Sequence, residues 1–285
     1  MVHADAFEDA VVAFERGDYA TSQRLLRPLA ERGNVAAQYS LGVMYEIGRG
    51  VPQDATEAVK WFRLAADQGY ASAQFTLGGM YAGGKGVPQD YVEAVKWWHM
   101  AAEQGSTKAQ FSLGIMYGHG QGVPQDYGEV AKWFRMAAEQ GDASAQFSLG
   151  IMYHGGRGVP QDFAEAVKWF RMAAEQGIAA AQFNIGVMCA GGKGVQQDHT
   201  EAVKWFRMAA EQGLASAQFT LGLMYGTGKG MPKDNVLVHM WLTLAAAQGH
   251  EKAQKAREIA AKRMTPDQIA EAQRMARERL AKHQQ

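Results

Sequence analysis

The chain has 285 residues, 47% of them hydrophobic, and 29 basic side chains balance 29 acidic ones. Zero net charge gives no global pull toward nucleic acid or an anionic membrane, so no nucleic-acid partner is expected. No stretch approaches the roughly 20 uninterrupted apolar residues of a bilayer span, and the single cysteine, Cys189, excludes an internal disulfide or a site built on several thiolates.

At the start, Val2-His3-Ala4 carries small residues spaced like the end of a signal peptide, with no apolar segment before them. The expectation is a periplasmic or secreted protein whose leader has been removed. A cytoplasmic protein that happens to start this way is the alternative. Residues 1–33 read as a capping helix pair, with Gly17-Asp18-Tyr19 at the turn and Leu25, Leu26 and Leu29 on the second helix.

From Asn34 to Gly249 the chain is periodic. Gln38, Gln74, Gln110, Gln146, Gln182 and Gln218 are 36 residues apart, and Trp61, Trp97, Trp133, Trp169, Trp205 and Trp241 keep the same spacing. The six copies are 34–69, 70–105, 106–141, 142–177, 178–213 and 214–249. Each reads as two helices. In the first copy, Ala37, Leu41, Met44 and Tyr45 fall at helical spacing over Val35 to Glu46. Gly48 and Gly50 break that helix, and Val51-Pro52 holds the chain extended. Asp54 then caps a second helix, with Glu57 placed to complete a capping box, and Gly69 supplies the left-handed stop. Such helix pairs bury their apolar faces only by stacking, so the fold class is all-α, an α/α superhelical solenoid.

The sixth copy carries Leu237, Met240 and Thr243 where the fifth carries Glu201, Lys204 and Arg207. Residues 250–285 are therefore expected to form C-terminal capping helices over that face. Thr265-Pro266-Asp267-Gln268 marks a helix start.

A 36-residue pair with A-x-x-x-LG-x-x-Y, a G-x-G loop and A-x-x-W-F-x-x-A-A-x-x-G resembles the Sel-1-like repeat. That family is related to the tetratricopeptide repeat, whose period is about 34 residues. The resemblance covers six full copies. It implies a non-catalytic adaptor or scaffold, monomeric and without cofactor or metal, that binds a protein or peptide in a concave groove lined by the first helices. Some cysteine-rich relatives are described as penicillin-binding or weakly β-lactamase-like. The single cysteine here departs from their paired pattern.

By this resemblance the inward positions are filled by Tyr39, Phe75, Phe111, Phe147, Phe183 and Phe219, then by Val43, Ile115, Ile151, Val187 and Leu223, with Glu46, His119 and His154 as polar departures. The aromatics are either a binding ladder or core packed between helices. On the opposite side, Lys60, Lys96, Lys132, Lys168 and Lys204 recur with Arg63, Arg135, Arg171 and Arg207. They form either a basic stripe for an anionic partner or a solvated face paired with Glu57-type carboxylates.

Motifs for catalysis are missing from the sequence: no H-E-x-x-H, no G-x-S-x-G and no His/Cys cluster of metal-ligand spacing. Loops such as Gly83-Gly84-Lys85-Gly86 lack the strand and the Ser/Thr of a phosphate loop and recur with the repeat. The segment KWFRMAAEQG occurs unchanged at 132–141, 168–177 and 204–213, which also fits a consensus-like scaffold with no natural partner.

Overall fold

The computed structural model describes the backbone of residues 2–282 and the side chains of residues 6–281, so the side chains of Val2-His3-Ala4 lie outside it. The described residues form sixteen helices and no strand. Two compact units divide them, Met1–Gln140 and Gly141–Gln285. The first holds α1 (Val2–Glu15), α2 (Tyr19–Glu31), α3 (Val35–Ile47), α4 (Ala55–Asp67), α5 (Ala71–Gly83), α6 (Tyr91–Glu103), α7 (Thr107–His119) and α8 (Tyr127–Glu139). The second holds α9 (Ala143–Gly155), α10 (Phe163–Glu175), α11 (Ala179–Gly191), α12 (His199–Glu211), α13 (Ala215–Thr227), α14 (Asn235–Ala247), α15 (Glu251–Ala261) and α16 (Pro266–Lys282). Within each unit consecutive helices pack as antiparallel pairs, and each pair stacks on the next.

Two glycine positions permit this stacking. A Cβ at Gly42, Gly78, Gly114, Gly150 or Gly186 would sit 2.4–2.8 Å from the ring of Phe62, Trp98, Phe134, Phe170 or Phe206, so the helices of a pair meet face to ring. In the loop, Gly86 has φ +70° and a Cβ there would lie 2.2 Å from the Ala55 carbonyl oxygen of the preceding second helix. Both the left-handed backbone and the close approach require glycine.

The glutamines that mark the period join one pair to the next. Gln38 donates to the Ala30 carbonyl at the end of α2 (3.1 Å) and accepts from Gln68 after α4 (2.8 Å). Gln74 and Gln110 repeat both bonds in the first unit, and Gln182 and Gln218 do so in the second. Each of these glutamines is at least 96% buried, so the amide must be satisfied, and it is, from two helices at once.

The second helices are capped as expected at one end of the box only. Asp54 accepts from the Thr56 and Glu57 N–H groups, and Asp90, Asp126, Asp162 and Asp198 do the same in their copies. The reciprocal half does not form. The Asp54 N–H donates instead to the Tyr45 carbonyl (3.0 Å) as the loop folds back on the first helix, so Glu57 turns to Lys60 (2.7 Å). Where no such loop precedes the helix, both halves form: Thr265 and Gln268 exchange backbone-to-side-chain bonds at the start of α16. The loop glutamine completes the turn, Gln53 donating to the Glu46 carbonyl and Gln125 to that of Gly118.

At the C-terminal end, α16 packs on α14. Met240 is fully buried, Leu237 and Thr243 are half-buried, and the small residues Ala272 and Ala276 of α16 are buried in the contact. Lys132 and Lys168 lie over Trp133 and Trp169 at 4.9 and 5.2 Å from the ring centroids. Met240 replaces that lysine in the sixth copy, and Arg279 of α16 supplies the cation over Trp241 at 4.7 Å.

Two outcomes are expected from unfolding measurements. Asp126→Ala lowers stability by about 1 kcal/mol through the lost cap, whereas Glu129→Gln lowers it by about 0.5 kcal/mol or less, the size of an exposed helix pair; equal losses in urea titrations would show that the carboxylate also caps. Truncation before Thr265 removes α16 from the α14 face that carries Met240 and is expected to lower the melting temperature and cause self-association. A shortened chain that sediments as a monomer with an unchanged melting temperature would contradict this.

Candidate protein-interaction face

The aromatic residues of the first helices are half-buried, and four of them rest on rings of their own repeats. Ring centroids are 5.5 Å apart for Tyr39 and Phe62, 5.2 Å for Phe111 and Phe134, 5.9 Å for Phe147 and Phe170, and 5.5 Å for Phe183 and Phe206. Phe75 accepts at its carbonyl from the Trp98 indole (3.0 Å), and Phe219 stacks on His250 at 4.3 Å. Each ring is thus partly core and partly surface.

The next position outward is more exposed. Ile115 is 38% accessible, Ile151 48%, Val187 45% and Leu223 43%, while Val43 is half-buried. A β-branched or leucine side chain recurs there on the same turn of successive first helices, α9, α11 and α13 in the second unit. Of the polar departures, Glu46 is half-buried, His119 bonds the Ile115 carbonyl through Nδ1 (2.9 Å), and the exposed His154 sets its ring edge against Phe163 at 5.4 Å.

Hollows bring some of these residues together. In the second unit, Ile151 and His154 of α9 and Val187 of α11 border a hollow of 80 Å³ floored by Phe170 and Met188. Asn184 shares it, at a position where other copies have Ser or Thr; a comparison of the copies along that column signals it. In the first unit, Tyr39 and Val43 line an apolar pocket of 240 Å³ with Val11, Phe14, Ser22 and Leu26. Leu223 borders a hollow of 290 Å³ in the second unit, beside Leu242, Ile259 and Arg263. Glu46 and His119 border none of these. A cleft of 490 Å³ between α14, α15 and α16 contains His239, which burial and then Arg257 hold below the usual histidine range.

The opposite face is occupied by its own pairings. Lys60, Lys96, Lys132 and Lys168 each meet the glutamate three residues earlier, at 2.7–3.4 Å. Tyrosines of the following first helix take up arginines: Arg27 donates to Tyr45 (2.6 Å), Arg63 to Tyr81 and Arg207 to Tyr225 (3.0 Å). His99 fills the arginine position opposite Tyr117 (3.2 Å), and burial lowers its pKa. Cys189 stands where Tyr would receive Arg171, and Arg171 reaches Glu201 instead (2.9 Å). These contacts favour a paired, solvated face over an open basic stripe.

Cys189 is buried, and burial, reinforced by the Glu201 carboxylate, pushes its thiol up to about 11. Starting from 9.0, that shift leaves about 100-fold less thiolate at neutral pH. Labelling by Ellman's reagent at pH 7.5 is therefore expected to be at least about 100-fold slower in the native chain than in urea; comparable rates would show that the thiol is reached without unfolding. Among the described residues no group of three or more His, Cys, Asp or Glu side chains is arranged to hold a metal ion, and no helix is long and apolar enough to cross a membrane.

A family model described as the Sel1 repeat matches six times, at residues 35–70, 71–106, 107–142, 143–178, 179–214 and 215–250. Among solved structures, a Sel1 repeat protein from Oxalobacter formigenes is 34% identical, with a TM-score of 0.69, over 85% of this chain and 96% of that one. A second, described as the protective antigen c5321 of uropathogenic Escherichia coli strains displaying an SLR fold, is 29% identical with a TM-score of 0.54, over 99% of this chain and 84% of that one. A comparison with curated proteins finds no match.

Proposed function

Because the chain belongs to the Sel1 repeat family, whose helical-repeat scaffolds commonly serve protein interactions, we propose that it binds a peptide or protein segment on the first-helix face and catalyses no reaction. The observation that carries this reading is the exposed aliphatic position, Ile115 in the first unit and Ile151, Val187 and Leu223 in the second. Side chains of this kind beside half-buried rings form apolar surface that a folded scaffold gains nothing by exposing, and such surface marks contact sites. Branched side chains also lose little freedom when a partner covers them. The residues that differ between copies, His154 and Asn184 at one hollow and Val43 at another, then supply selectivity. Polar groups at the rim of an apolar contact reject partners that leave them unpaired.

Selection of displayed random peptides on the immobilised full chain tests the proposal. Ile115→Glu with Ile151→Glu is expected to weaken the selected peptides at least about tenfold, because a carboxylate is forced into a desolvated contact. Lys132→Glu on the opposite face is expected to leave binding unchanged. Circular dichroism checks that both variants keep the fold. Peptides that bind the double variant as well as the parent, or that respond to Lys132→Glu instead, would move the site off this face.

A further inference from the structure

Beyond the sixth copy, two columns that are apolar throughout the repeats turn polar at one place. Arg257 of α15 stands 36 residues after Leu221, in a column where leucine or isoleucine is 0% exposed in every copy. His239 of α14 stands 36 residues after Val203, in a column of buried valine and alanine. Both line the cleft of 490 Å³ between α14, α15 and α16. Thr243, Gln273 and Arg277 add polar groups to that lining, and Ile269 and Leu280 add apolar ones.

The charges around this cleft do not balance. Arg257 is half-buried and Arg277 is exposed, and neither makes an ion pair or a hydrogen bond among the described residues. Other arginines of α16 are occupied: Arg274 is held between Glu271 and Glu278, and Arg279 lies over Trp241. Glu258 is the one carboxylate in the lining, and it accepts from Gln254 (3.3 Å). His239 sets its Nδ1 against the Thr243 hydroxyl at 3.4 Å. Burial, and then the Arg257 guanidinium, hold its pKa below the usual histidine range, so the ring adds no charge at neutral pH. Two guanidinium groups against one carboxylate leave the lining with one positive charge in excess.

We propose that this cleft binds a carboxylate carried on an apolar body, with Arg257 and Arg277 holding the carboxylate and Ile269 and Leu280 covering the body. Guanidinium groups take a carboxylate through charge-assisted and often bidentate hydrogen bonds. The single excess charge matches a monoanion, whereas a phosphate monoester carries about −1.5 to −2 at neutral pH. An apolar cavity of about 150 Å³ already takes up benzene, so 490 Å³ has room for a larger body together with the carboxylate. A free organic acid and the C-terminus of a peptide ending in an apolar residue present the same chemistry. The cleft shares no residue with the first-helix face and does not rest on the reading of that face as a contact surface.

Methyl NMR titration of the full chain tests it, with hexanoate against hexanamide and with an acetylated alanyl-alanyl-leucine peptide against its C-terminal amide. At least one of the two acids is expected to shift the methyl signals of Ile269 and Leu280 saturably, and its amide to bind at least about tenfold more weakly, the loss of a hydrogen bond to a charged group. The tighter of the two acids identifies the source of the carboxylate. Arg257→Leu restores the residue of the regular copies and is expected to weaken the acid at least about tenfold while the melting temperature holds or rises. Arg277→Gln, at an exposed position that folding does not depend on, is expected to weaken it at least about threefold. The proposal is overturned if neither acid shifts these signals, if the amides bind as tightly as the acids, or if either arginine variant binds the acid unchanged.

Discussion

A helix ends with carbonyls that its own backbone cannot satisfy, and in a stack of short helices those ends are buried by the next pair. Here a single buried glutamine meets that need. Gln74 donates to the Ala66 carbonyl of the pair before it and accepts from the Gln104 amide of its own pair, so both of its ends find a partner only when three helices are in register. A slip of either helix would strand a buried amide, which is more costly than the net gain of the bond itself. The glycine at position 78, facing Trp98 with no room for a Cβ, then sets how closely the two helices of the pair approach. Amide and glycine together determine the spacing from which the rest of each unit follows.

That spacing also determines what the surface charges do. It brings the arginine of one second helix within reach of the tyrosine on the following first helix, as with Arg207 and Tyr225. It places Lys96, Lys132 and Lys168 above their own tryptophans. Where one partner is replaced, the other finds the nearest substitute. Arg171 meets Cys189 in place of tyrosine and pairs with Glu201, and Trp241 loses its lysine to Met240 and receives Arg279 from α16. The exposed pairs are individually weak. Their effect is to occupy the basic residues and leave the first-helix face as the apolar surface.

The same spacing explains why the hollows differ. Beside the Phe170 ring the hollow holds 80 Å³, whereas beside Leu26 and Leu242 it holds 240 and 290 Å³. Leu26 and Leu242 lie in the pairs that flank the regular copies in their units, so the larger hollows appear where the pattern is interrupted.

Period, helix limits, capping aspartates and the tail helix were legible in the amino-acid sequence, because each depends on residues a few positions apart or on spacing that repeats. Asp54 caps α4 whatever lies beyond it, and Gly69 ends that helix by its own backbone freedom. Tertiary structure alone decided the rest. Glu57 looks like the second half of a capping box, yet the Asp54 N–H has already gone to Tyr45 across the loop. The aromatic column could be binding ladder or core on paper; in the fold its rings are half-buried, since packing against Phe62 or Phe134 covers one ring edge and leaves the other exposed. Leu26 is one more leucine in a helix until it is placed opposite Tyr39 and Val43. Local backbone chemistry is written in neighbouring residues, whereas an open space or a diverted hydrogen bond is a property of groups that only folding brings together.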